Sequence, residues 1–349
     1  MRICLLSERL KPPFDEGFKN VVVHLGTAMA RQHEVLVLTY GGQDVPAHGI
    51  RNVAANRLLL SLPLAKTIRH WAPDLLYYVP TASLTWPSFL RARVLRAYAR
   101  SRVALVGLQS RAYTLTSRHL VAALPPDLLL VMGQHVAASL PSLSCPIIAI
   151  SPGVDTARFT PATPEERGRL RAAYGISAEA WVLLHVGHIK QERNVLLLGR
   201  IQQALGVQAL LVGSSSTTQE REVESELRAA GVMVISRHLD IVEAYRLADA
   251  YLFPTHLEQA AIGVPLSVLE AMACNLPIIS TPFGGLPELF PAQPERGLIY
   301  ADTDDALIAG VAATRQRMSA DTRTMVLPYN WQQIADKILA QTTAALGLP

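Results

Sequence analysis

"RICLLSERLKPPFDEGFKNVVVHLGTAMARQHEVLVLTY" (residues 2–40) decides the fold class. It opens on a short apolar run, "RICLLS" (2–7), and passes through a loop carrying Pro12, Pro13 and Gly17. A helix-like segment, "NVVVHLGTAMARQ" (20–32), follows, and a second apolar run, "EVLVLTY" (34–40), closes the stretch. Strand, helix and strand at this spacing make a βαβ unit, the crossover that two parallel strands require.

Outward from that unit the same grammar continues. "LLYYV" (75–79), "VALVGL" (103–108), "LLLVMG" (128–133) and "PIIAIS" (146–151) are spaced as further parallel strands. The pattern pauses at "PGVDTARFTPATPEERGRL" (152–170), whose turn formers and charges suit a linker running into a new helix. It then restarts. "AWVLLHVG" (180–187), the helix "NVLLLGRIQQAL" (194–205), "VQALLVG" (207–213), a charged helix (219–230) and "VMVIS" (232–236) come first. "AYLFPT" (250–255), "PIIST" (277–281) and "GLIYA" (297–301) complete the set. Two Rossmann-like, doubly wound parallel-sheet α/β domains are expected, over residues 1–155 and 156–330. A C-terminal helix (331–349) is expected to cross back to the first. Ligands of such sheets lie beyond the carboxyl ends of the strands, here in the cleft expected between the domains.

The 349 residues, half of them hydrophobic, are enough for two cores. No apolar run approaches the roughly 20 residues that span a bilayer. The opening "MRICLLSERLKPP" breaks after "ICLL" without a small-residue cleavage site, so a cytoplasmic protein is expected. Cys4, Cys145 and Cys274 are few, odd in number and far apart, as buried, reduced thiols are. Residues 1–155 carry 16 basic and 8 acidic side chains, the rest 16 and 20. No acid lies between Asp74 and Asp127, whereas "RARVLRAYARSR" supplies Arg91, Arg93, Arg96, Arg100 and Arg102. That stripe points to an anionic partner. It lacks the interleaved aromatics of a nucleic-acid platform.

In "IGVPLSVLEAMACNLPIISTPFGG" (262–285) a single carboxylate, Glu270, sits among apolar and small residues. Pro265 suits a helix start, and Asn275 with Pro277 suits its end, so residues 265–274 read as one short helix. Ser267, Glu270 and Cys274 share a face of it. An acid in that setting needs a partner, either a pair of sugar hydroxyls or a neighbouring arginine.

These residues carry a resemblance. "PLSVLEAMACNLPIISTPFGGLPEL" (265–289) resembles the donor segment of the retaining glycosyltransferases of family 4, which have the GT-B fold. "FDEGFKNVVVHLGTAMARQHEVLVLT" (14–39) resembles their glycine loop and first helix, "ISPGVDTARFTP" (150–161) their interdomain strand and linker, and "LLHVGHIKQERNVLLLGRIQQA" (183–204) their phosphate-binding segment. "EAYRLADAYLFPT" (243–255) and "YNWQQIADKI" (329–338) match in the same order; residues 43–145 do not. The resemblance implies an acceptor-side first domain and a nucleotide-sugar-binding second one. It places Glu270, the second acid of a Glu-x7-Glu motif, on the ribose hydroxyls, and the amides near Leu266 and Ser267 against the diphosphate, where a helix N-terminus favours anions. Gly17 would let backbone approach a phosphate, and Gly213 would lie near the base, whose choice rests on residues 213–240. On the helix after Gly17, Lys19 and Asn20 mark its start, and His24 reads as a core histidine.

Two departures stand out. The first acid of the motif falls on Ile262, with Glu258 as a loop substitute. The family's basic pair falls on His188 and Arg193, with Lys190 as an additional cation; Arg193 keeps charge and gains bidentate geometry toward phosphate. The implied activity is retaining glycosyl transfer, hexosyl or related, from a nucleotide diphosphate sugar to a hydroxyl acceptor, saccharide or lipid-linked. It implies no bound metal and no cofactor besides the donor substrate, and the donor phosphate takes the acceptor proton. Asp302 and Asp304 read as a helix start rather than a metal motif. By analogy with relatives that work at membranes, the Arg91–Arg102 region is expected to meet anionic lipid on the inner face of the membrane. The rival readings are a nucleotide-sugar-binding protein without turnover, which Ile262 and His188 suggest, and a dinucleotide oxidoreductase. The latter lacks its Gly-x-Gly-x-x-Gly after the first strand.

Overall fold

The computed structural model describes residues 1–214, 219–235, 240–316 and 320–348. The chain forms two compact units. The first comprises Met1–Pro152, Ile262–Val264 and Trp331–Pro349, the second Gly153–Ala261 and Pro265–Asn330.

The first unit holds β1 (Arg2–Glu8), β2 (Glu34–Tyr40), β3 (Ile50–Asn52), β4 (Leu75–Val79), β5 (Arg102–Gly107), β6 (Leu128–Met132) and β7 (Ile147–Ile150). They pair in parallel in the order β3-β2-β1-β4-β5-β6-β7. Ile3 stands opposite Val35 on one side and Leu75 on the other, so the order reverses between β1 and β4. The central strands are apolar on both faces because helices cover both. One core joins Leu6, Leu38, Leu76, Phe89, Leu105 and Leu129. β3 was not expected, since only Ile50 of its three residues is buried.

Four local readings are corrected in this unit. Gly17 opens the first helix (Gly17–Met29) rather than preceding it. The Asn20 N–H already bonds Glu16 O at 3.1 Å, and Lys19 folds back onto Glu16 with Nζ to Oε1 at 2.5 Å. Lys19 and Asn20 therefore lie inside the helix, Lys19 buried with its charge paired. His24 is half-buried rather than core, its ring stacked on Trp331 at 5.1 Å from the C-terminal helix Trp331–Leu346, which packs on the first helix. Cys145 is likewise only half-buried, while Cys4 and Cys274 are buried.

The second unit holds β8 (Val182–Val186), β9 (Gln208–Val212), β10 (Met233–Ile235), β11 (Ala250–Phe253), β12 (Ile278–Ser280) and β13 (Leu298–Tyr300), parallel in the order β10-β9-β8-β11-β12-β13. Here the reversal falls between β8 and β11. The linker helix Pro164–Ala173 is tied to that junction by buried charge. Arg171 donates to Asp249 at 2.6 Å, to Leu247 O at 3.0 Å and to Ala178 O at 3.1 Å, and Asp249 also accepts from Arg167 and from the Val182 N–H. Each of the three guanidinium nitrogens of Arg171 donates a hydrogen bond, which offsets the cost of burying the ion pair. Among the described residues no helix is long and apolar enough to cross a membrane.

Candidate functional site

Open α/β sheets bind ligands where the strand order reverses, because the loops leaving the two adjacent strands diverge there and expose backbone N–H groups. In the second unit that point is the carboxyl end of β8 and β11, near which lie His188, Lys190, Arg193 and Gly213.

β8 runs into Gly187, whose N–H bonds Val212 O at 3.0 Å. His188, Ile189 and Lys190 lead from it into a short turn, Gln191–Arg193. The turn is fixed on several sides. Gln219 accepts the Ile189 N–H at 2.5 Å; Asn194, at φ 55°, donates to Pro254 O at 3.2 Å and to Asp304 at 2.8 Å; Thr255 donates to Arg193 O at 3.3 Å. Asp304 stands in the first turn of the helix Asp304–Arg315, capped by Thr303, as its sequence context indicated. Gly213 ends β9 beside this turn, and a side chain there would meet Ile189 at 3.1 Å. A Cβ at 213 would thus press on the Ile189 side chain, which would have to give by a few tenths of an ångström.

Arg193 is half-buried, and its guanidinium has no acidic or carbonyl partner among the described residues. Burial pulls its pKa down to about 10, opposed by Tyr251 and Glu192. A cation held partly out of water without a counter-charge is poised for an anion. His188 and Lys190 are half-buried beside it.

The helix carrying Glu270 spans Leu266–Ala273, with Pro265 in the N-cap position at φ −65°. The Val268 N–H bonds Pro265 O at 3.2 Å. The amides of Leu266 and Ser267, the two residues before it, find no acceptor among the described residues, as the first N–H groups of a helix do not. Ser267 hydrogen-bonds the buried Tyr251 hydroxyl, which itself donates to Val186 O at 3.3 Å.

Glu270 lies on the same face, and of the two partners offered for it in the sequence only the arginine could come from within the protein. No arginine among the described residues bridges it. The hydroxyl of fully buried Tyr245 donates to Glu270 Oε2 at 2.7 Å, and Oε1 takes no hydrogen bond from the described residues. Burial raises the carboxyl pKa above its ordinary value, with Tyr245 and Arg158 working against that rise. Tyr245 belongs to the helix Ile241–Leu247 and to an aromatic floor under the site. It meets Phe159 edge-on at 5.6 Å and Tyr251 at 6.0 Å, and His185 continues the row to Tyr251 at 6.3 Å and Phe253 at 6.2 Å.

Glu258 is exposed on a turn, Glu258–Ala260. Ile262 and Gly17 group with the first unit, where a side chain at Gly17 would strike Ile262 Cδ1 at 2.9 Å. Glycine at 17 therefore accommodates Ile262. Part of the expected base-contacting segment, 215–218 and 236–239, lies outside the described residues.

The arginine stripe is interrupted. Arg91 turns inward, with Nη1 on Glu8 at 2.5 Å and on Tyr78 at 3.2 Å, and Nε on Arg57 O at 2.6 Å. This sets a buried polar cluster at the carboxyl end of β1 and β4, the reversal point of the first sheet. Arg93, Arg96, Arg100 and Arg102 stay exposed, with Arg96 and Arg102 both near Asp127. Sequence reasoning missed Glu8, Tyr78, Tyr245 and Tyr251. Only the polar atoms on otherwise apolar strands and helices could have flagged them.

Comparison with known proteins bears on the family and the fold. The family described as Glycosyl transferases group 1 matches residues 180–316. A D-inositol 3-phosphate glycosyltransferase of Geodermatophilus obscurus is 30% identical over 220 residues, 57% of this chain and 47% of the relative. That of Mycolicibacterium smegmatis is 27% identical over 218 residues, 58% of this chain and 48% of the relative. The chain thus spans about half the length of the curated relatives it matches. Among solved structures, a sucrose-phosphate synthase from Thermosynechococcus elongatus superposes with a TM-score of 0.75 at 20% identity, covering 99% of this chain and 100% of that one. Anabaena Alr3699/HepE in complex with UDP does so at 0.78 and 16%, with the same coverage. Residues 180–316 therefore match the glycosyl transferases group 1 family, in a chain with the GT-B fold of two Rossmann-like parallel-sheet domains.

Proposed function

We propose that this protein transfers a glycosyl unit from a nucleotide diphosphate sugar to a hydroxyl acceptor with retention of configuration. The observation that carries the reading is a pair of groups at the reversal point of the second sheet: an Arg193 guanidinium without a partner among the described residues, and a Glu270 carboxylate with one oxygen held by Tyr245 and the other unengaged by them. A nucleoside diphosphate presents complementary groups, anionic phosphates and a vicinal ribose diol. The solved complex of Anabaena Alr3699/HepE with UDP-glucose, of similar fold, supports that choice of donor class.

In this reading Glu270 accepts from the ribose hydroxyls while Tyr245 fixes its orientation. The free amides of Leu266 and Ser267 meet phosphate oxygens. Arg193, with Lys190 and His188 beside it, balances the charge that grows on the diphosphate as the glycosidic bond breaks; each charge-assisted hydrogen bond contributes about 1.5–3 kcal/mol. Such bonds accelerate the reaction to the extent that they strengthen in the transition state. All of these cations and dipoles belong to the chain, so the proposal requires no resident metal ion or cofactor. Glu258 and Gly213 frame the donor sugar and the base, and Gly17, in the first unit, lets its backbone approach a donor phosphate. The first unit contributes the acceptor, and the exposed Arg93, Arg96, Arg100 and Arg102 hold the protein to anionic lipid at the inner face of the membrane, near a lipid-linked or saccharide acceptor.

Transfer of radiolabel from a panel of nucleotide diphosphate sugars, with the anomeric configuration of the product read by NMR, tests the proposal. Full turnover by an Arg193→Ala variant would refute it. The second reading is a nucleotide-sugar binder without turnover, favoured by Ile262 in place of an acid. Calorimetric binding of UDP without product from any donor in the panel would establish that reading instead.

A further inference from the structure

His185, which neither the motif nor the proposed reaction uses, lies directly beneath the phosphate-binding turn. It is the penultimate residue of β8 and fully buried. Its Nδ1 sits 2.9 Å from Leu252 O, an atom that only accepts, so Nδ1 carries the ring proton and Nε2 presents a bare lone pair. That lone pair has no donor among the described residues. Burial, with Arg193 adding to it, drives the pKa down to about 4, so the ring is neutral near pH 7. An unpaired acceptor at such depth is costly, and buried polar atoms left in this condition call for an explanation.

Gly187 supplies one. The position its missing Cβ would take is 3.0 Å from His185 Nε2 and 3.6 Å from Arg193 Nη1. The imidazole lone pair and a guanidinium N–H thus border one gap, and a glycine keeps that gap open. The ring itself has little freedom, held by Leu252 O and flanked by Tyr251 and Phe253.

We propose that His185 is a positioning residue for Arg193: its Nε2 accepts an N–H of the Arg193 guanidinium as the side chain swings to meet a diphosphate, across the gap that Gly187 leaves clear. One N–H of the fork is thereby anchored from below while the outward pair faces the phosphate. Side chains that hold a guanidinium's orientation lower the ordering cost of binding an anion. The inference rests on the reading of Arg193 as the diphosphate cation.

The test is calorimetric titration of the full chain with UDP, using wild type, His185→Phe, Gly187→Ala, Arg193→Gln and the His185→Phe/Arg193→Gln double variant. Phe keeps the ring and its packing but has no lone pair. The expected result is about tenfold weaker UDP binding for His185→Phe, equivalent to one hydrogen bond to a charged group. A comparable loss is expected for Gly187→Ala. Against Arg193→Gln, His185→Phe should have no further effect, a non-additivity that a merely structural role would not produce. Undiminished binding by His185→Phe, or additive losses in the double variant, would overturn the positioning role while leaving Arg193 as the cation. Wild-type binding that survives Arg193→Gln unchanged, or no wild-type binding, would overturn the functional reading and this inference with it.

Discussion

Replacing Glu270 by Gln separates binding from folding, because the two respond in opposite directions. The carboxylate has one oxygen engaged by the Tyr245 hydroxyl at 2.7 Å and one free for ligand. Gln keeps the shape, and its amide oxygen still accepts from Tyr245. What it loses is the charge and the acceptor at the oxygen that Tyr245 leaves open, where the proposed ribose diol would bond. A charged acceptor contributes about 1.5–3 kcal/mol per hydrogen bond against about 1 kcal/mol for a neutral one. With one acceptor replaced by a donor and the charge gone, UDP affinity should fall by about 2–3 kcal/mol, roughly 30- to 150-fold. Stability should move the other way. The folded-state pKa of Glu270 is raised by burial, so the fold prefers the protonated form. Below the unfolded-state carboxyl pKa, about 4.3, both states are protonated and the variant should match the wild type. As pH rises through the folded-state pKa the wild type accumulates the cost of a buried charge, so the advantage of Gln grows and then stays constant. Calorimetry with UDP and thermal melts from pH 4 to pH 8 measure both. Unchanged UDP affinity, or a variant that melts below wild type at pH 8, would refute the assignment of Glu270 as a ligand-facing acid.

Other expectations follow from the same network. Arg193→Ala should weaken UDP binding about 10- to 100-fold without lowering the melting temperature, since no protein partner is left behind; calorimetry and a melt decide it. Asp249→Ala strands Arg171, buried and bonded to Asp249 at 2.6 Å, and should cost about 3–5 kcal/mol in denaturant unfolding. His185 is neutral in the fold with a pKa of about 4, against about 6.5 when unfolded. As pH falls from 6.5 toward 4 the unfolded state gains a proton that the fold refuses, so stability drops by about 3 kcal/mol from this group. His185→Phe should flatten that part of the unfolding curve. Flotation with anionic vesicles at physiological salt should recover the wild type, and an Arg96→Ala/Arg100→Ala/Arg102→Ala variant should remain behind.

Patterns that depend on local spacing were legible in the chain. Each of the expected strands from 75–79 to 297–301 lies within a residue or two of an observed one, because helix-covered parallel strands are apolar on both faces and announce themselves as runs. The helix over Glu270 was legible from Pro265 and Asn275, observed at φ 59°. The first helix was placed three residues late because its opening turn is stabilised by Lys19 on Glu16, an ion pair that no apolar period records. β3 was invisible for a similar reason: a three-residue edge strand buries too little to leave a pattern.

The sequence by itself determined two doubly wound sheets, a short helix carrying one isolated acid, and a turn carrying arginine, because periodicity and turn chemistry are local. Only the tertiary structure decided what those groups face. Tyr245 lies 25 residues from the acid it orients, and Leu252 lies 67 residues from the histidine whose proton it fixes. Arg91 counted as one of five arginines in a stripe until the fold brought Glu8, 83 positions away, within 2.5 Å and withdrew it from the surface. Whether a polar side chain is satisfied or left waiting for a ligand depends on atoms brought close by strand order, and strand order is set by the packing of whole elements rather than by any neighbouring residue.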